Sequence, residues 1–324
     1  MKVIRGIKNL KKKLKKPVVT IGIFDGVHLG HRRVIREVVR QAKASKGTSV
    51  VITFHPHPLK ILQDPDVASL ITSLEHRIDL IRQLGADVCL ILDFNKGFSR
   101  IPAKRFIKNI LVERLSINYL ILEKGFRFGR QRKGSFELLE KSSRIYGFKV
   151  KRIGPVKKNG RIISSSRIRA LIQEGKVKQA NRLLGRVFSI FGKVEKGNAW
   201  GRRLGYPTAN IVSLQEIVPL PGVYAVKILV DKKIFPGILN VGWRPTFYAE
   251  RKLNQTIEVH IFNFSRRLYG KRLEVFFVRR IRPEKRFPSH KTLLTQIKKD
   301  EQRARIILKT RTSPPIIPHL VPKI

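Results

Sequence analysis

The sequence predicts an α/β protein in two parts: a doubly wound, mostly parallel sheet, then an antiparallel barrel with a closing helix. Three observations predict it. Between residues 18 and 153, short apolar and β-branched runs alternate with segments whose apolar residues recur every three to four positions, the pattern of a parallel sheet covered on both faces. Near Gly185 this gives way to short alternating runs separated by Gly, Pro and Asn, as in antiparallel barrels. Helical patterning returns at His290 to Leu308. The expected domains are 1–184 and 185–309, with a loose tail over 310–324 that carries four prolines.

Val18 to Ile23 reads as a buried strand, and Val34, Ile35, Val38, Val39 and Ala42 mark an amphipathic helix ended by Gly47. Thr48 to Phe54 is a second strand, stopped by His55-Pro-His-Pro58. Thr72-Ser-Leu-Glu75 has capping-box spacing and opens a helix with Leu74, Ile78, Ile81 and Leu84 as its apolar stripe. Val88 to Leu92 is a third strand, Pro102 to Leu115 a helix, Tyr119 to Leu122 a fourth strand, Phe136 to Ile145 a helix and Phe148 to Ile153 a further strand. The barrel runs are 187–194, 222–230, 234–241, 255–264 and 271–279. In such a sheet, ligands are expected at the carboxyl ends of the strands.

Composition bounds the function. The 324 residues are 42% hydrophobic, enough for packed cores. The single cysteine, Cys89, excludes an internal disulfide framework and a cysteine-based metal site, and a reducing cytoplasm is the expected compartment. No run approaches the roughly 18 apolar residues of a membrane span, and no apolar segment of a signal peptide follows the basic stretch Lys11 to Lys16. The 69 Lys and Arg against 22 Asp and Glu give a formal +47. Such a field attracts polyanions whether or not that is the function. The basic residues are spread through 11–16, 127–133, 151–161 and 265–286, so we read polyanion binding as incidental.

Four constellations carry chemistry. The turn Gly22-Ile-Phe-Asp-Gly-Val-His-Leu-Gly-His31 lies between a strand and a helix N-terminus, where unpaired N–H groups and the helix dipole favour phosphate. His28 and His31, three residues apart, are placed to donate hydrogen bonds as charge develops on a leaving pyrophosphate. The turn reads as a triphosphate site, but not as the Gly-x-x-x-x-Gly-Lys-Ser/Thr loop, which is absent. Ser164, Ser165 and Arg169, at a helix start, suit phosphate oxygens, although serine-rich caps are ordinary. In Gly201 to Asn210, Thr208 and Asn210 offer oxygen ligands for a hard cation such as magnesium. Glu258 and His260, two apart on a strand, share a face, and Glu258 is a candidate general base.

Taken together these residues resemble the prokaryotic bifunctional riboflavin kinase/FAD synthetase family, from about residue 15 to 308. The first turn, Thr53-Phe-His-Pro-His-Pro58 and Ser164-Ser-Ser-Arg-Ile-Arg169 resemble its adenylyltransferase module, and Leu183-Leu-Gly-Arg-Val-Phe-Ser189 its domain junction. Gly205-Tyr-Pro-Thr-Ala-Asn210, Pro221-Gly-Val-Tyr224, Asn240-Val-Gly-Trp-Arg-Pro-Thr-Phe247, Glu258-Val-His260 and Leu268-Tyr-Gly270 resemble its kinase barrel. The resemblance implies a Rossmann-like nucleotidyltransferase domain followed by a Greek-key β-barrel with a terminal helix. It also implies phosphorylation of riboflavin to FMN and adenylylation of FMN to FAD, each using ATP and Mg2+. Catalytic roles would fall on Glu258, His28 and His31. ATP and phosphate would be bound by Gly22, Phe24, Asp25, Gly30, Ser164, Ser165, Arg169, Gly205, Pro207, Thr208 and Asn210, with Thr208 and Asn210 near the metal. The sequence assigns no flavin-contacting residue and no oligomeric state.

The chain departs from the family pattern at Gly125 and Ser135, where acidic or amide residues are usual, and in the barrel at Asn263 and at Arg266-Arg267. Two other readings follow. One is a riboflavin kinase whose first domain has lost adenylylation. The other is a basic RNA-binding protein, since Lys124-Gly-Phe-Arg-Phe128 partly resembles an RNA-recognition signature.

Overall fold

The computed structural model describes residues 1–62, 70–196, 205–213, 217–243 and 255–310. They form two compact units, Met1–Ser164 and Ser165–Ile324. Residues 311–324 of the expected tail and the motif residues 201–204 and 244–247 lie outside the described residues.

The first unit is built on six parallel strands: β1 (Lys2–Arg5), β2 (Val18–Ile21), β3 (Ser49–His55), β4 (Val88–Asp93), β5 (Tyr119–Glu123) and β6 (Lys149–Ile153). Their order is β1-β4-β3-β2-β5-β6. The chain runs outward from β2 through β3 to β4, then crosses back to place β5 on the other side of β2, so the carboxyl ends of β2 and β5 are the switch point where such sheets bind ligands. Helix α1 (Leu29–Ala44) buries Val34, Ile35, Val38 and Ala42 as its spacing requires.

Short helices α2 (Pro58–Leu62) and α4 (Lys96–Ser99) flank α3 (Leu74–Gln83) in the chain. The cap of α3 is Ser73, which accepts from His76 N–H, and not Thr72. The helix expected over Pro102 to Leu115 begins as α5 (Ala103–Arg105) and continues as a π-helical stretch, Phe106–Arg114, closed by Leu115 N–H donating to Ile110 C=O. The wider turns keep Phe106, Ile107, Ile110 and Leu111 in the core. Helix α6 (Phe136–Tyr146) is capped by Ser135, and a two-residue hairpin pairs β7 (Lys157–Lys158) with β8 (Arg161–Ile162). The edge strand β1 and this hairpin were not expected; they are short and charged, and neither shows an apolar period.

The second unit opens with α7 (Ser165–Gln173) and α8 (Val177–Leu184). Asn181 of α8 binds both Phe188 N–H and Phe277 C=O, fixing the helix to the barrel. The barrel closes in the order β10-β13-β12-β11-β14-β9. Its strands are β9 (Phe188–Glu195), β10 (Ala209–Ser213), β11 (Gly222–Val230), β12 (Lys233–Trp243), β13 (Gln255–Ile261) and β14 (Arg272–Pro283). Strands β11, β12 and β13 form a meander and β14 returns beside β11, which is the Greek key. Strand β10 adds a sixth member to the five expected runs. Helix α9 (His290–Lys309) lies on the outside of the barrel, where Ile297, Ile307 and Leu308 pack against Ala225, Ile238 and Phe262.

Candidate active sites

Past β2 the backbone enters a turn with Phe24 at φ 52°, Gly26 at φ 78° and Val27 at φ 39°. Positive φ is costly at Phe24 and at the β-branched Val27, so the surroundings must hold the turn. Asp25 does so: its buried carboxylate accepts from the N–H groups of Ile71 and Thr72 at 3.2 and 3.1 Å and from the Thr72 hydroxyl, which in turn accepts Gly26 N–H at 3.0 Å. Thr72 therefore pins the turn instead of capping α3. Behind it, the buried Arg77 guanidinium donates to Ile23 C=O at 2.5 Å and to Thr53 Oγ1 at 3.4 Å. Phe24 is core. Asp25 and Phe24, expected as ATP contacts, thus have structural work: they shape the loop.

The turn delivers two histidines to the start of α1. His28 is the N-cap, its Nδ1 accepting from His31 N–H at 3.4 Å, so the neutral ring carries its proton on Nε2. The rings of His28 and His31 stack at 3.6 Å and 18°, with the Phe24 ring edge-on to His31 at 5.3 Å. Burial lowers His28 to about 4 and His31 well below the usual range, the latter helped by His28 and Arg77. These are neutral hydrogen-bond donors at physiological pH, not cations. A Cβ on Gly22 would meet the Phe24 ring at 2.9 Å, and one on Gly30 would press on the His28 ring at 3.0 Å while lying 3.4 Å from Glu123 Oε1. Both glycines make room for rings.

The sign of the pH dependence follows. Because the folded His28 pKa lies below the unfolded 6.5, the unfolded state binds more protons between those values and stability falls as pH drops from 6.5 toward 4. The loss is on the order of 3 kcal/mol for this group. We expect urea midpoints to fall between pH 7 and pH 5, and by less in His28→Gln; equal falls in both proteins would contradict the assignment.

Ser164 ends the first unit, while Ser165 and Arg169 belong to α7, partly buried, beside the core residues Ile168 and Ile172.

The barrel holds a second centre. Gly205, at φ 77°, turns the chain into β10, and Pro207 C=O accepts from His260 Nδ1 at 2.9 Å while Tyr206 packs its ring on the same imidazole at 5.2 Å. This fastens 205–210 onto β13. In the register of three neighbouring strands, Asn210 lies directly opposite Glu258, and Glu258 opposite Asn240, so the three share one face. On β13, Ile257, Val259 and Ile261 are buried and Glu258 and His260 are the alternate set. A cleft of about 300 Å³ opens there, lined by Thr208, Asn240, Glu258 and His260, by Arg282, Glu284, Lys285 and Phe287, and by Leu293, Ile297 and Asp300 of α9. Asp300, 2% exposed, accepts from Arg282 Nε at 2.8 Å and from Gln296 at 2.9 Å.

Removing one partner of a buried ion pair strands the other. Asp300→Ala is expected to lower the stability of the barrel unit by about 3 kcal/mol, read from urea unfolding. An unchanged midpoint would show that the pair is not buried in solution.

Sequence reasoning missed Arg77, Glu123, Arg282 and Asp300. Two had a signal. Arg77 falls in the Leu74, Ile78, Ile81 stripe of α3, and Asp300 in the Leu293, Ile297, Ala304 stripe of α9. A charge inside an apolar stripe is a buried charge with a partner.

Known proteins place the chain. The FAD synthetase family profile matches residues 10–167 and the riboflavin kinase profile residues 184–308. A bifunctional riboflavin kinase/FMN adenylyltransferase of Buchnera aphidicola subsp. Schizaphis graminum is 43% identical over 93% of this chain and 96% of its own length. The Escherichia coli K12 protein of the same name is 36% identical over 94% and 97%. A crystal structure described as a macrolide-efflux protein from Streptococcus pneumoniae superposes with TM-score 0.86 at 30% identity, covering 94% of this chain and 99% of that one. Among the described residues no helix is long and apolar enough to cross a membrane. The chain belongs to the bifunctional riboflavin kinase/FMN adenylyltransferase family.

Proposed function

We propose that this chain makes FMN and then FAD at two separate centres, each consuming one ATP. The observation that carries the reading is the barrel cleft. Its lining includes the apolar side chains Val223, Ile238, Leu293, Ile297 and Phe287, suited to a flavin ring, and Thr208, Asn240 and Glu258, polar groups suited to a ribityl chain and phosphates. Glu258 takes the proton of the ribityl hydroxyl as that oxygen attacks the γ-phosphate of ATP, giving FMN and ADP. In the first unit a phosphate oxygen of FMN attacks the α-phosphate of a second ATP and pyrophosphate leaves. His28, donating through Nε2–H, and His31 steady the charge on the leaving group. Gly22 and Gly30 keep that wall of the turn clear, Asp25 and Phe24 hold its shape, and the motif residues Ser164, Ser165 and Arg169 carry hydroxyls and a guanidinium of the kind that phosphates take.

Magnesium fits the barrel donors. Thr208 hydroxyl and Asn210 amide oxygen are hard oxygen ligands, and Asn210 stands opposite Glu258, the base, on the adjacent strand. When bound, the metal would neutralise charge on the β- and γ-phosphates. Gly205 and Pro207 set the approach of this segment.

We assign the adenylyltransferase to residues 1–184 and the kinase to 185–309, with 310–324 as an appended tail. The buried Cys89, its thiol pushed up to about 11 by burial, is inert and suits a cytoplasmic enzyme. The +47 charge gives salt-dependent polyanion binding unconnected with either centre.

The kinase-only reading rests on Gly125 and Ser135. Ser135 caps α6 by accepting from Leu138 N–H at 3.3 Å, a duty serine performs as well as an acidic residue, so that departure leaves the fold of the site intact. Incubating the protein with FMN, ATP and magnesium tests the point: FAD and pyrophosphate are expected, and neither would form if only the kinase were active.

A further inference from the structure

Arg282 and Asp300 line the barrel cleft, yet phosphoryl transfer from ATP to the ribityl hydroxyl uses neither. Three hydrogen bonds fix them. Arg282 Nε donates to the buried Asp300 at Oδ2, 2.8 Å away, Gln296 Nε2 donates to Asp300 Oδ1 at 2.9 Å, and Arg282 Nη1 donates to Pro283 C=O at 3.0 Å. The guanidinium lies over the Phe287 ring at 5.5 Å. Its third nitrogen, Nη2, has no hydrogen-bond partner among the described residues. A guanidinium whose charge is already balanced by a carboxylate, set among apolar side chains, suits a neutral acceptor such as a carbonyl oxygen better than a phosphate.

The strand registers place this donor relative to the base. Arg282 on β14 is opposite Val223 on β11, Val223 is opposite Asn240 on β12, and Asn240 is opposite Glu258 on β13. Residues directly opposite share a face, and all four line the cleft. They form one row across the barrel wall, with Glu258 at one end and Arg282 at the other. Three steps between strands make the row about 14 Å along the sheet, and the curvature of the barrel shortens it. A flavin has the same layout. With its terminal ribityl hydroxyl at Glu258, its ring lies over Val223 and beside Leu293 and Ile297, and the pyrimidine edge, which carries two carbonyl oxygens, comes to Arg282.

We propose that Arg282 selects the flavin ring, its Nη2 donating to a carbonyl oxygen of the pyrimidine edge, and that Asp300 and Gln296 are positioning residues that hold the guanidinium for this contact. The proposal rests on the kinase centre of the two-centre reading.

Steady-state FMN-forming kinetics of the full chain with riboflavin, 2-thioriboflavin and 4-thioriboflavin test it, because sulfur accepts a hydrogen bond poorly where oxygen accepts it well. In the wild type, KM for one of the two analogues is expected to exceed that for riboflavin by about tenfold, the worth of a hydrogen bond to a charged donor. Arg282→Met should raise KM for riboflavin by about the same factor, keep kcat and KM for ATP within about twofold, and abolish the discrimination, since donor and acceptor are two halves of one bond. A lone Arg282→Met strands the Asp300 carboxylate, so Arg282→Met combined with Asp300→Leu, which leaves no charge unpaired, should show the same kinetics. Asp300→Asn should weaken the discrimination with kcat kept, as expected of a residue that acts through Arg282. Equal KM values for riboflavin and both analogues in the wild type would overturn the proposal without recourse to any variant. Discrimination that survives in the double variant would overturn it too, as would a rise in KM for ATP in place of riboflavin, which would make Arg282 a phosphate ligand. A wild type that phosphorylates no flavin would instead defeat the two-centre reading itself.

Discussion

Glu258→Gln is expected to lower kcat for FMN formation by about 10²- to 10⁴-fold, the range over which a positioned general base acts. The amide has nearly the shape of the carboxylate and still fits between Asn210 and Asn240 on the three-strand face. It cannot accept the ribityl proton. Because Ile257, Val259 and Ile261, not Glu258, form the buried face of β13, the barrel should remain folded and KM for riboflavin should change little. FAD formation from supplied FMN should continue at the wild-type rate, since the histidine turn that carries adenylyl transfer belongs to the other unit. Steady-state kinetics with each substrate separates these effects. A loss below about fivefold would remove Glu258 from the role of base.

The second large effect is expected at His28. His28→Ala removes an imidazole donor, the stack on His31 and the acceptor that caps α1 at once. FAD formation should fall by about 10²- to 10³-fold, as when one preorganised donor is lost from a charge-stabilising site, while FMN formation is spared. The cap accounts for about 1 kcal/mol of stability. His28→Asn separates the two roles, because asparagine is a good N-cap but does not carry a donor to the position of Nε2. It should recover the stability and not the activity. Recovery of FAD formation by asparagine would make His28 a cap and nothing more. Equal loss of FMN and FAD formation would argue against separate sites.

The legible parts of the fold were those with a period. The apolar stripe of α1 and the alternation of β13 appear in the sequence because each buries one regular face. Strand β1 did not, since Lys2–Arg5 is an edge strand whose partner, β4, lies more than 80 residues away. Strand β10 was hidden within a motif read for its chemistry. Its pairing with β13 is what sets Asn210 against Glu258.

The candidate sites divide in the same way. His28, His31, Thr208 and Glu258 stood out because their residue types sit in dense local patterns. The supports did not: Thr72 reaches Asp25 across 47 positions and Arg77 reaches Ile23 across 54. The apolar stripe of α3 marks Arg77 as buried, but spacing within a sequence does not name the partner of either residue. Asp25 stood out in the same motif, and its bonds to Ile71 and Thr72, which hold the loop, did not.

The central claim, that one chain houses two working centres, is tested most directly by a time course with riboflavin, ATP and magnesium in which FMN and FAD are resolved. FMN should rise first and then be converted to FAD, with one ADP and one pyrophosphate released for each FAD. Accumulation of FMN alone, with ADP and no pyrophosphate, would contradict it.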